Sequence, residues 1–286
     1  MVLANIAPMR LHPALLALAA ALLVVPLAAD AQVTEDVPFI TTPDHVTLAM
    51  LKLARVSAKD HVLDLGSGDG RIVITAAKRF GASGHGVEIV PDLVARSQRN
   101  AELAGVAGRA TFAQADLFET DLSPASVITM YLLPEVNLKL RPRLLALKPG
   151  TRIVSHDWDL GDWRPDRTLT LPVPDKAVGR EKLSRLHLWT VPAAVAGLWC
   201  GRGATLQLSQ RYQFVEGTLQ QGPNARALHG RIDGTHLGLD AVQHPPLRAE
   251  WKASPSGERL VLASALVGSR GLAREFTRAE GKACPA

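Results

Sequence analysis

The sequence predicts an α/β protein in which a doubly wound, mainly parallel sheet precedes a small antiparallel β-domain. Between residues 59 and 157, short apolar runs alternate with helical stretches of about ten to fifteen residues, the pattern of parallel βαβ units. After Pro192, apolar and polar residues alternate between Gly and Pro breaks, which is typical of antiparallel strands solvated on one face. We therefore predict two folded domains, 32–192 and 193–286.

The first thirty residues have the pattern of a secretory signal. One arginine precedes an uncharged apolar run from Pro13 to Ala29. The sequence Ala-Asp-Ala that follows has small residues at the two positions that signal peptidase recognises. We expect segment 1–31 to be a signal peptide cleaved before Gln32. The alternative is an uncleaved membrane anchor, although about 17 apolar residues are short for a span. The protein is thus expected to be exported, periplasmic or membrane-anchored, with a cytosol-facing anchor as the alternative.

The strands of the sheet follow one another with helices between most of them. We predict strands at 61–65, 84–90, 110–117, 125–133 and 151–158. Pro91 and Pro134 each open a helix, since proline suits the first helical turn, and another helix begins in the glycine-rich loop after the first strand. Two further strand-like runs, 167–173 and 182–191, complete a seven-stranded sheet that ends in a hairpin. The β-domain that follows is expected to be a meander or half-barrel of unknown role.

Composition and charge bound the function only loosely. The formal net charge is +5, from 32 basic and 27 acidic residues. The electrostatic field of the protein is therefore weak, and the charge does not strongly indicate nucleic-acid binding. The two cysteines, Cys200 and Cys284, either form one disulfide in an oxidising compartment or remain free thiols. Their spacing excludes a zinc ribbon and a CxxC redox pair, and no metal site is predicted.

The stretch DLGSGDGR, residues 64–71, predicts a cofactor site. A glycine turn between a strand and a helix lets the backbone approach a ligand closely. The glycines are spaced G-x-G-x-G, and Arg71 stands where a dinucleotide fingerprint has its third glycine. Asp64 would repel a pyrophosphate but attract an ammonium or sulfonium group. The loop therefore favours a cationic cofactor that carries no phosphate.

The decapeptide VLDLGSGDGR resembles the first motif of the class I, seven-strand S-adenosylmethionine-dependent methyltransferases, which have a Rossmann-like fold. The resemblance implies S-adenosylmethionine as cofactor and S-adenosylhomocysteine as product. Glu88, about twenty residues after the glycines, would accept both ribose hydroxyls. Within QADLF, Asp116 would accept from the adenine amino group and Leu117 would offer its backbone N–H. The loop residues implied to hold the cofactor are Asp64, Gly66, Ser67, Gly68 and Gly70.

Three further segments resemble one branch of that family. They are 38–54 before the first strand, 131–144 after the fourth and 150–166 around the fifth. The branch comprises the lysine methyltransferases of the mitochondrial ATP synthase c-subunit and adenine nucleotide translocase, with their bacterial relatives. The resemblance covers about residues 38–192. It implies transfer of a methyl group to the ε-amine of a lysine in a protein substrate, which is expected to be membrane-associated or in the envelope.

The resemblance also implies a lid over the cofactor. Phe39 would close on the cofactor, and either Thr41 or Thr42 would donate to its methionine carboxylate. The alternative for Phe39 is a packing contact onto the following helix.

The acceptor is expected beside the loop after the fourth strand. Tyr131, Leu132, Leu133 and Pro134 stand where other amine methyltransferases carry Asn/Asp-Pro-Pro-Tyr/Phe. Because that motif is absent, adenine-N6 and glutamine-amide acceptors are disfavoured. Tyr131 and the carbonyls of the two leucines would orient the amine.

His156 and Asp157, at the end of the fifth strand, would draw in the acceptor's ammonium or pass on its proton. The alternative is that they only shape a loop. A lysine amine has an ordinary pKa of about 10.4, and burial in an apolar channel lowers it, so a dedicated base is not required.

Three functions remain open at this point. The first is the protein-lysine methyltransferase. The second is a small-molecule or RNA methyltransferase, although RNA binding would be strongly salt-dependent and the weak net charge does not favour it. The third is an exported, non-catalytic binding protein that has kept the cofactor fold. The intact set of loop glycines and acidic residues counts against the third.

Overall fold

The computed structural model describes residues 40–176, 181–242, 244–263, 274–281, 283 and 284. Segment 1–31, predicted to be a signal peptide or anchor, and Phe39 lie outside these residues. Among the helices of the described part, none is long and apolar enough to cross a membrane.

The first half of the described chain forms the predicted seven-stranded sheet, in the order β3-β2-β1-β4-β5-β7-β6. Strands β1 to β5 are parallel, whereas β7 runs antiparallel to both β5 and β6 and closes the sheet with a hairpin. The elements are α1 (Asp44–Leu53), β1 (His61–Leu65), α2 (Arg71–Phe80), β2 (Ser83–Glu88), α3 (Pro91–Leu103), β3 (Ala110–Gln114), β4 (Val127–Met130), α4 (Pro134–Leu145), β5 (Arg152–His156), β6 (Arg167–Pro172) and β7 (Leu183–Thr190).

Local sequence explains where these helices begin. Gly70 precedes α2 with a left-handed φ of 80°, and Gly81 ends that helix with a φ of 70°. Both conformations suit glycine, which has no Cβ. Helices α3 and α4 begin at Pro91 and Pro134, as predicted. The helices therefore start directly after the loops at the carboxyl ends of the strands, where ligands of open α/β sheets bind.

The second half forms a closed antiparallel barrel of eight strands. Its strands are β8 (Gly197–Gly201), β9 (Ala204–Arg211), β10 (Phe214–Gln221), β11 (Asn224–Asp233), β12 (His236–Ala241), β13 (His244–Ser254), β14 (Gly257–Leu262) and β15 (Glu275–Arg278). Apolar side chains fill the barrel, and Trp199 and Phe276 are fully buried there. The half-barrel expected from the sequence is thus closed, because β15 pairs with β8. The predicted domain boundary after residue 192 falls between β7 and β8.

A disulfide joins Cys200 of β8 to Cys284, with their Cα atoms 5.6 Å apart. Of the two states that the sequence left open, the structure has the bonded one. The bond ties the end of the chain to the first strand of the barrel, next to the seam where β15 and β8 meet.

Candidate active site

The glycine loop leaves β1 at Leu65 and needs glycine for two reasons. Gly66, Gly68 and Gly70 all have positive φ values, of 73°, 54° and 80°. L-residues with side chains rarely adopt this region. A Cβ on Gly66 would also lie 2.9 Å from Leu132 Cδ2, and one on Gly70 would lie 2.6 Å from the ring of Phe112. The loop is therefore packed tightly between β3 and the segment after β4.

Asp64 is buried near the end of β1, and 2% of the residue is exposed. The Thr129 hydroxyl, on the adjacent strand β4, donates to Asp64 Oδ1 at 2.7 Å. Burial raises the pKa of Asp64 to about 8, with Glu88 and Asp69 adding to the effect and the Thr129 hydrogen bond opposing it. Most Asp64 carboxyls are thus protonated at neutral pH until a cation comes near.

Glu88 ends β2 with its carboxylate held by three backbone N–H groups. Oε2 accepts from Gly68 at 3.0 Å, while Oε1 accepts from Ile89 at 2.8 Å and from Val90 at 3.1 Å. A carboxylate offers about four acceptor positions, so one remains for a ligand hydroxyl. The contact with Gly68 places this predicted ribose-binding residue directly against the glycine loop.

The glycine loop also contains an unpartnered polar atom. Ser67 Oγ is buried and has no hydrogen-bond partner among the described residues. Buried polar groups are nearly always paired, so a donor or acceptor is expected from a bound molecule. Together with the bare backbone of the glycines and the acidic pair Asp64 and Glu88, this donor and acceptor set fits the cationic nucleoside S-adenosylmethionine.

Asp116 and Leu117 lie in the loop after β3. Asp116 is exposed, and its Oδ1 accepts from the Phe118 N–H at 2.7 Å, which fixes the turn. Arg143 of α4 donates to the Leu117 carbonyl at 3.1 Å and also to the Phe118 carbonyl. The helix after β4 therefore holds the loop that is predicted to receive the adenine, a contribution that the sequence did not reveal.

The N-terminal segment reaches the glycine loop through Arg71. The guanidinium donates to the Thr42 carbonyl at 2.8 Å and pairs with the Asp69 carboxylate, Nη2 to Oδ2, at 2.6 Å. Asn100 of α3 in turn donates to the Asp69 carbonyl at 2.9 Å. Asp69 and Asn100 were missed from the sequence, although Arg71 in place of a third dinucleotide glycine was the available signal. Thr41 is exposed.

The side chain of Thr42 contacts His156, at the end of β5. Its hydroxyl lies 3.2 Å from His156 Nδ1, and Ser184 Oγ lies 2.8 Å from His156 Nε2. Burial lowers the pKa of His156 to about 4, although Asp157 opposes the shift. His156 is therefore neutral at pH 7 with both ring nitrogens occupied. A neutral ring does not attract an ammonium by charge, and the predicted proton transfer by His156 stays a prediction.

Tyr131 follows β4 and lies over His156, with the ring centroids 3.9 Å apart. Its hydroxyl donates to Asp157 Oδ2 at 3.2 Å. Burial and the neighbouring Asp157 carboxylate raise the pKa of Tyr131 to about 12, so it remains a hydrogen-bond donor at neutral pH. His156 therefore packs against the Tyr131 ring, and Asp157 orients the Tyr131 hydroxyl by accepting its hydrogen bond.

Asp157 has an unusual backbone for a residue with a side chain, with a φ of 64°. Its Oδ1 accepts from the Arg185 N–H at 3.0 Å, and its Oδ2 lies 2.7 Å from Lys176 Nζ. Burial alone would raise the pKa of Asp157, but the hydrogen bonds from Lys176 and from the Arg185 backbone N–H outweigh it and lower the pKa. Asp157 is thus an ionised carboxylate in a strained loop, a combination that is frequent at functional sites.

The predicted site residues on the described part of the chain meet at one edge of the sheet. The loops after β1, β2, β3, β4 and β5 all leave the carboxyl ends of parallel strands. Leu132 touches the glycine loop, and Pro134 begins α4. The residues predicted to bind the cofactor and those predicted to bind the acceptor therefore lie on either side of segment 131–134.

Comparison with known proteins identifies this arrangement. Residues 64–167 match the family model of the ANTKMT methyltransferase domain. Over 135 residues the chain is 47% identical to a protein-lysine N-methyltransferase of Saccharolobus islandicus, a match that spans 46% of this chain and 84% of that protein. The chain belongs to this methyltransferase family. The predicted S-adenosylmethionine-dependent methyltransferase is thereby confirmed.

Two further proteins are similar to this methyltransferase. Over 132 residues the chain is 33% identical to the mouse lysine N-methyltransferase of the ATP synthase c-subunit. The match covers 46% of this chain and about half, 53%, of that relative. A solved structure from Salinibacter ruber, described as an RNA methyltransferase in complex with S-adenosyl-L-homocysteine, is 50% identical with a TM-score of 0.50. That match covers 55% of this chain and 96% of the other.

Proposed function

We propose that the methyltransferase transfers a methyl group from S-adenosylmethionine to the ε-amine of a lysine in a protein. The observation that carries the proposal is the ionised Asp157 carboxylate, bonded to the hydroxyl of Tyr131 in the segment 131–134 that touches the glycine loop. A carboxylate is complementary to an ammonium, and because Lys176 Nζ already lies 2.7 Å from Asp157 Oδ2, a substrate lysine would take the place of Lys176 there. The 47% identity to an archaeal protein-lysine enzyme supports the same acceptor.

When bound, S-adenosylmethionine supplies an electrophilic methyl group, and the protein's task is alignment for an in-line displacement. Glu88 and the glycine loop would fix the nucleoside. Tyr131 and Asp157 would receive the ammonium and hold the nitrogen after it has lost one proton to solvent. Apolar surface from Leu132 would lower the pKa of the arriving lysine, because burial disfavours the charged form.

The proposed protein substrate is membrane-associated. Support comes from the relatives named as lysine methyltransferases of the ATP synthase c-subunit and of the adenine nucleotide translocase. The apolar run in segment 1–31 supports the same idea, whether it directs export to the periplasm or tethers the protein to a membrane, with a cytosol-facing anchor as the alternative. A reporter fused to the C-terminus and active only when exported would favour export, whereas activity only in the cytosol would contradict it.

RNA is the second candidate acceptor. The Salinibacter ruber protein, 50% identical, is described as an RNA methyltransferase. Against this, the net charge of +5 over 286 residues is small for a protein that binds a polyanion.

The two acceptors are separable by one labelling experiment. The purified enzyme would receive methyl-labelled S-adenosylmethionine together with a lysine-rich protein, the same protein with its lysines acetylated, or a structured RNA. We expect label only in the unmodified protein, recovered as methyl-lysine after hydrolysis. Label in the RNA alone would overturn the lysine proposal, as would equal labelling of the acetylated protein.

A further inference from the structure

One arginine of α4 binds three carbonyls of the loop after β3. Arg143 donates to the Leu117 carbonyl at 3.1 Å. It also donates to the carbonyls of Phe118 and Thr120. A guanidinium has five N–H donors in a rigid plane, so one side chain can hold several carbonyls in a fixed relation to one another. All three carbonyls belong to the turn that follows Asp116, the residue predicted to accept from the adenine amino group.

The peptide group between Leu117 and Phe118 is fixed at both ends. Its carbonyl accepts from Arg143, and its N–H donates to Asp116 Oδ1 at 2.7 Å. A peptide group is planar, so its carbonyl and its N–H move together. The orientation of the Asp116 carboxylate is therefore tied to the guanidinium of Arg143 through a single rigid peptide group.

The second oxygen of the Asp116 carboxylate is the one available to a ligand. Oδ1 accepts the Phe118 N–H, and among the described residues no donor binds Oδ2. The backbone of Asp116 is also held, because its carbonyl accepts from the N–H groups of Glu119 and Thr120, each at 3.1 Å. Since the two oxygens of a carboxylate lie in one plane, fixing Oδ1 also fixes the direction in which Oδ2 accepts.

Apolar contacts hold the same loop independently of Arg143. Leu117 and Phe118 both pack against the hydrophobic core of the sheet domain. Lys139 of α4 places its Nζ 3.9 Å from the centroid of the Phe118 ring, a cation–π contact. Loss of the Arg143 guanidinium should therefore leave the loop folded and free the Asp116 carboxylate to turn.

We propose that Arg143 is a positioning residue that sets the preference of the cofactor site for adenine over other purine bases. It would act through the peptide group after Leu117, which fixes the direction of the Asp116 carboxylate. The inference rests on the adenine-binding role predicted for Asp116 and does not depend on the identity of the methyl acceptor.

The preference follows from the hydrogen-bonding edge of the base. Adenine presents a donor, its 6-amino group, and an acceptor, N1, to the Asp116 carboxylate and the Leu117 N–H that are predicted to meet them. Hypoxanthine presents the reverse, an acceptor at O6 and a donor at N1. A carboxylate held in one direction binds the first base and repels the second, whereas a carboxylate that is free to turn away discriminates less.

The test compares two ligands that differ only in the base, S-adenosylhomocysteine and S-inosylhomocysteine, in calorimetric titrations of the full chain. We expect the wild type to bind the adenine compound at least about tenfold more tightly, because the other compound would face Asp116 with a carbonyl. Arg143→Met keeps an unbranched side chain on the helix but removes its donors. It should weaken binding of S-adenosylhomocysteine about tenfold and leave binding of S-inosylhomocysteine nearly unchanged.

Arg141 provides a matched control on the same helix. Its guanidinium donates to the Leu160 carbonyl at 2.8 Å and pairs with Asp162, both in the loop after β5. Arg141→Met should therefore keep both affinities of the wild type. Arg143→Lys retains the charge but cannot hold three carbonyls in a fixed relation, so its preference for adenine should lie between those of the wild type and Arg143→Met.

The ratio of the two affinities separates positioning from a general loss of structure. If Arg143→Met bound both compounds more weakly by the same factor, the arginine would only support the fold and the proposal would be overturned. Equal binding of both compounds by the wild type would also overturn it, as would a full wild-type preference in Arg143→Lys. The lysine variant decides the matter if Arg143→Met does not fold. None of these outcomes bears on the choice between lysine and RNA as methyl acceptor, which the labelling experiment decides.

Discussion

At the scale of single residues, Asp64 links the charge of the cofactor to the protonation of the site. Its buried carboxyl has a pKa of about 8, because burial penalises the charge. In the unfolded chain the same carboxyl has its ordinary pKa of 3.8. The folded state therefore holds the proton more tightly between about pH 4 and pH 8, and the free energy of unfolding falls as pH rises through that window.

Binding of S-adenosylmethionine at pH 7 should release a proton from Asp64, because a nearby cation favours the carboxylate. We expect up to about one proton in calorimetric titrations that compare buffers of different ionisation enthalpy. Asp64→Asn should abolish the release, weaken binding about tenfold or more, and flatten the fall in stability between pH 4 and pH 8. The exposed Asp92→Asn serves as control. Equal proton release by wild type and Asp64→Asn would refute this assignment.

At the scale of elements, the barrel braces the loop after β5, which carries Asp157, the carboxylate proposed to receive the acceptor. Tyr212, in the turn between β9 and β10, stacks on Trp163 with centroids 6.0 Å apart, and its hydroxyl donates to Asp162 at 3.0 Å. Gln213 donates to the Arg164 carbonyl at 2.7 Å. The loop after β5 is therefore held from both ends, by the sheet at Asp157 and by the barrel beyond it.

Removing this brace should slow methyl transfer without lowering the affinity for S-adenosylmethionine. Tyr212→Ala loses both the stack and the hydrogen bond, and we expect kcat to fall about tenfold, the equivalent of ~1.4 kcal/mol in the barrier. Tyr212→Phe keeps the stack and should fall less. Steady-state kinetics and S-adenosylmethionine titrations check both variants. If the two variants behaved alike, or if Tyr212→Ala lost cofactor affinity, the brace would not act as described.

The sequence predicts best those elements whose structure is decided locally. The period of the apolar residues predicts the strands and helices, and the spacing of Gly66, Gly68 and Gly70 predicts a loop that needs positive φ values. Barrel closure was missed, because the pairing of β15 with β8 joins segments far apart in sequence. The contact of Thr42 with His156 spans 114 residues and could not be read from either segment alone.

At the scale of the whole molecule, a doubly wound sheet carries the site at one edge, and a separate barrel steadies one of its loops. We expect this edge to bind S-adenosylmethionine through the glycine loop and Glu88. Every proposal about acceptors depends on that binding. The limits of the two domains, 32–192 and 193–286, stay predictions.

The most direct measurement is a calorimetric titration of the full chain with S-adenosylmethionine and S-adenosylhomocysteine. We predict one binding site for each, with binding weakened at least about tenfold in Glu88→Gln, whose amide cannot accept all the N–H groups that hold the carboxylate. The exposed Glu119→Gln, in the loop after β3, should bind as wild type does. Absence of binding by the wild-type chain, or equal affinity in Glu88→Gln, would contradict the account.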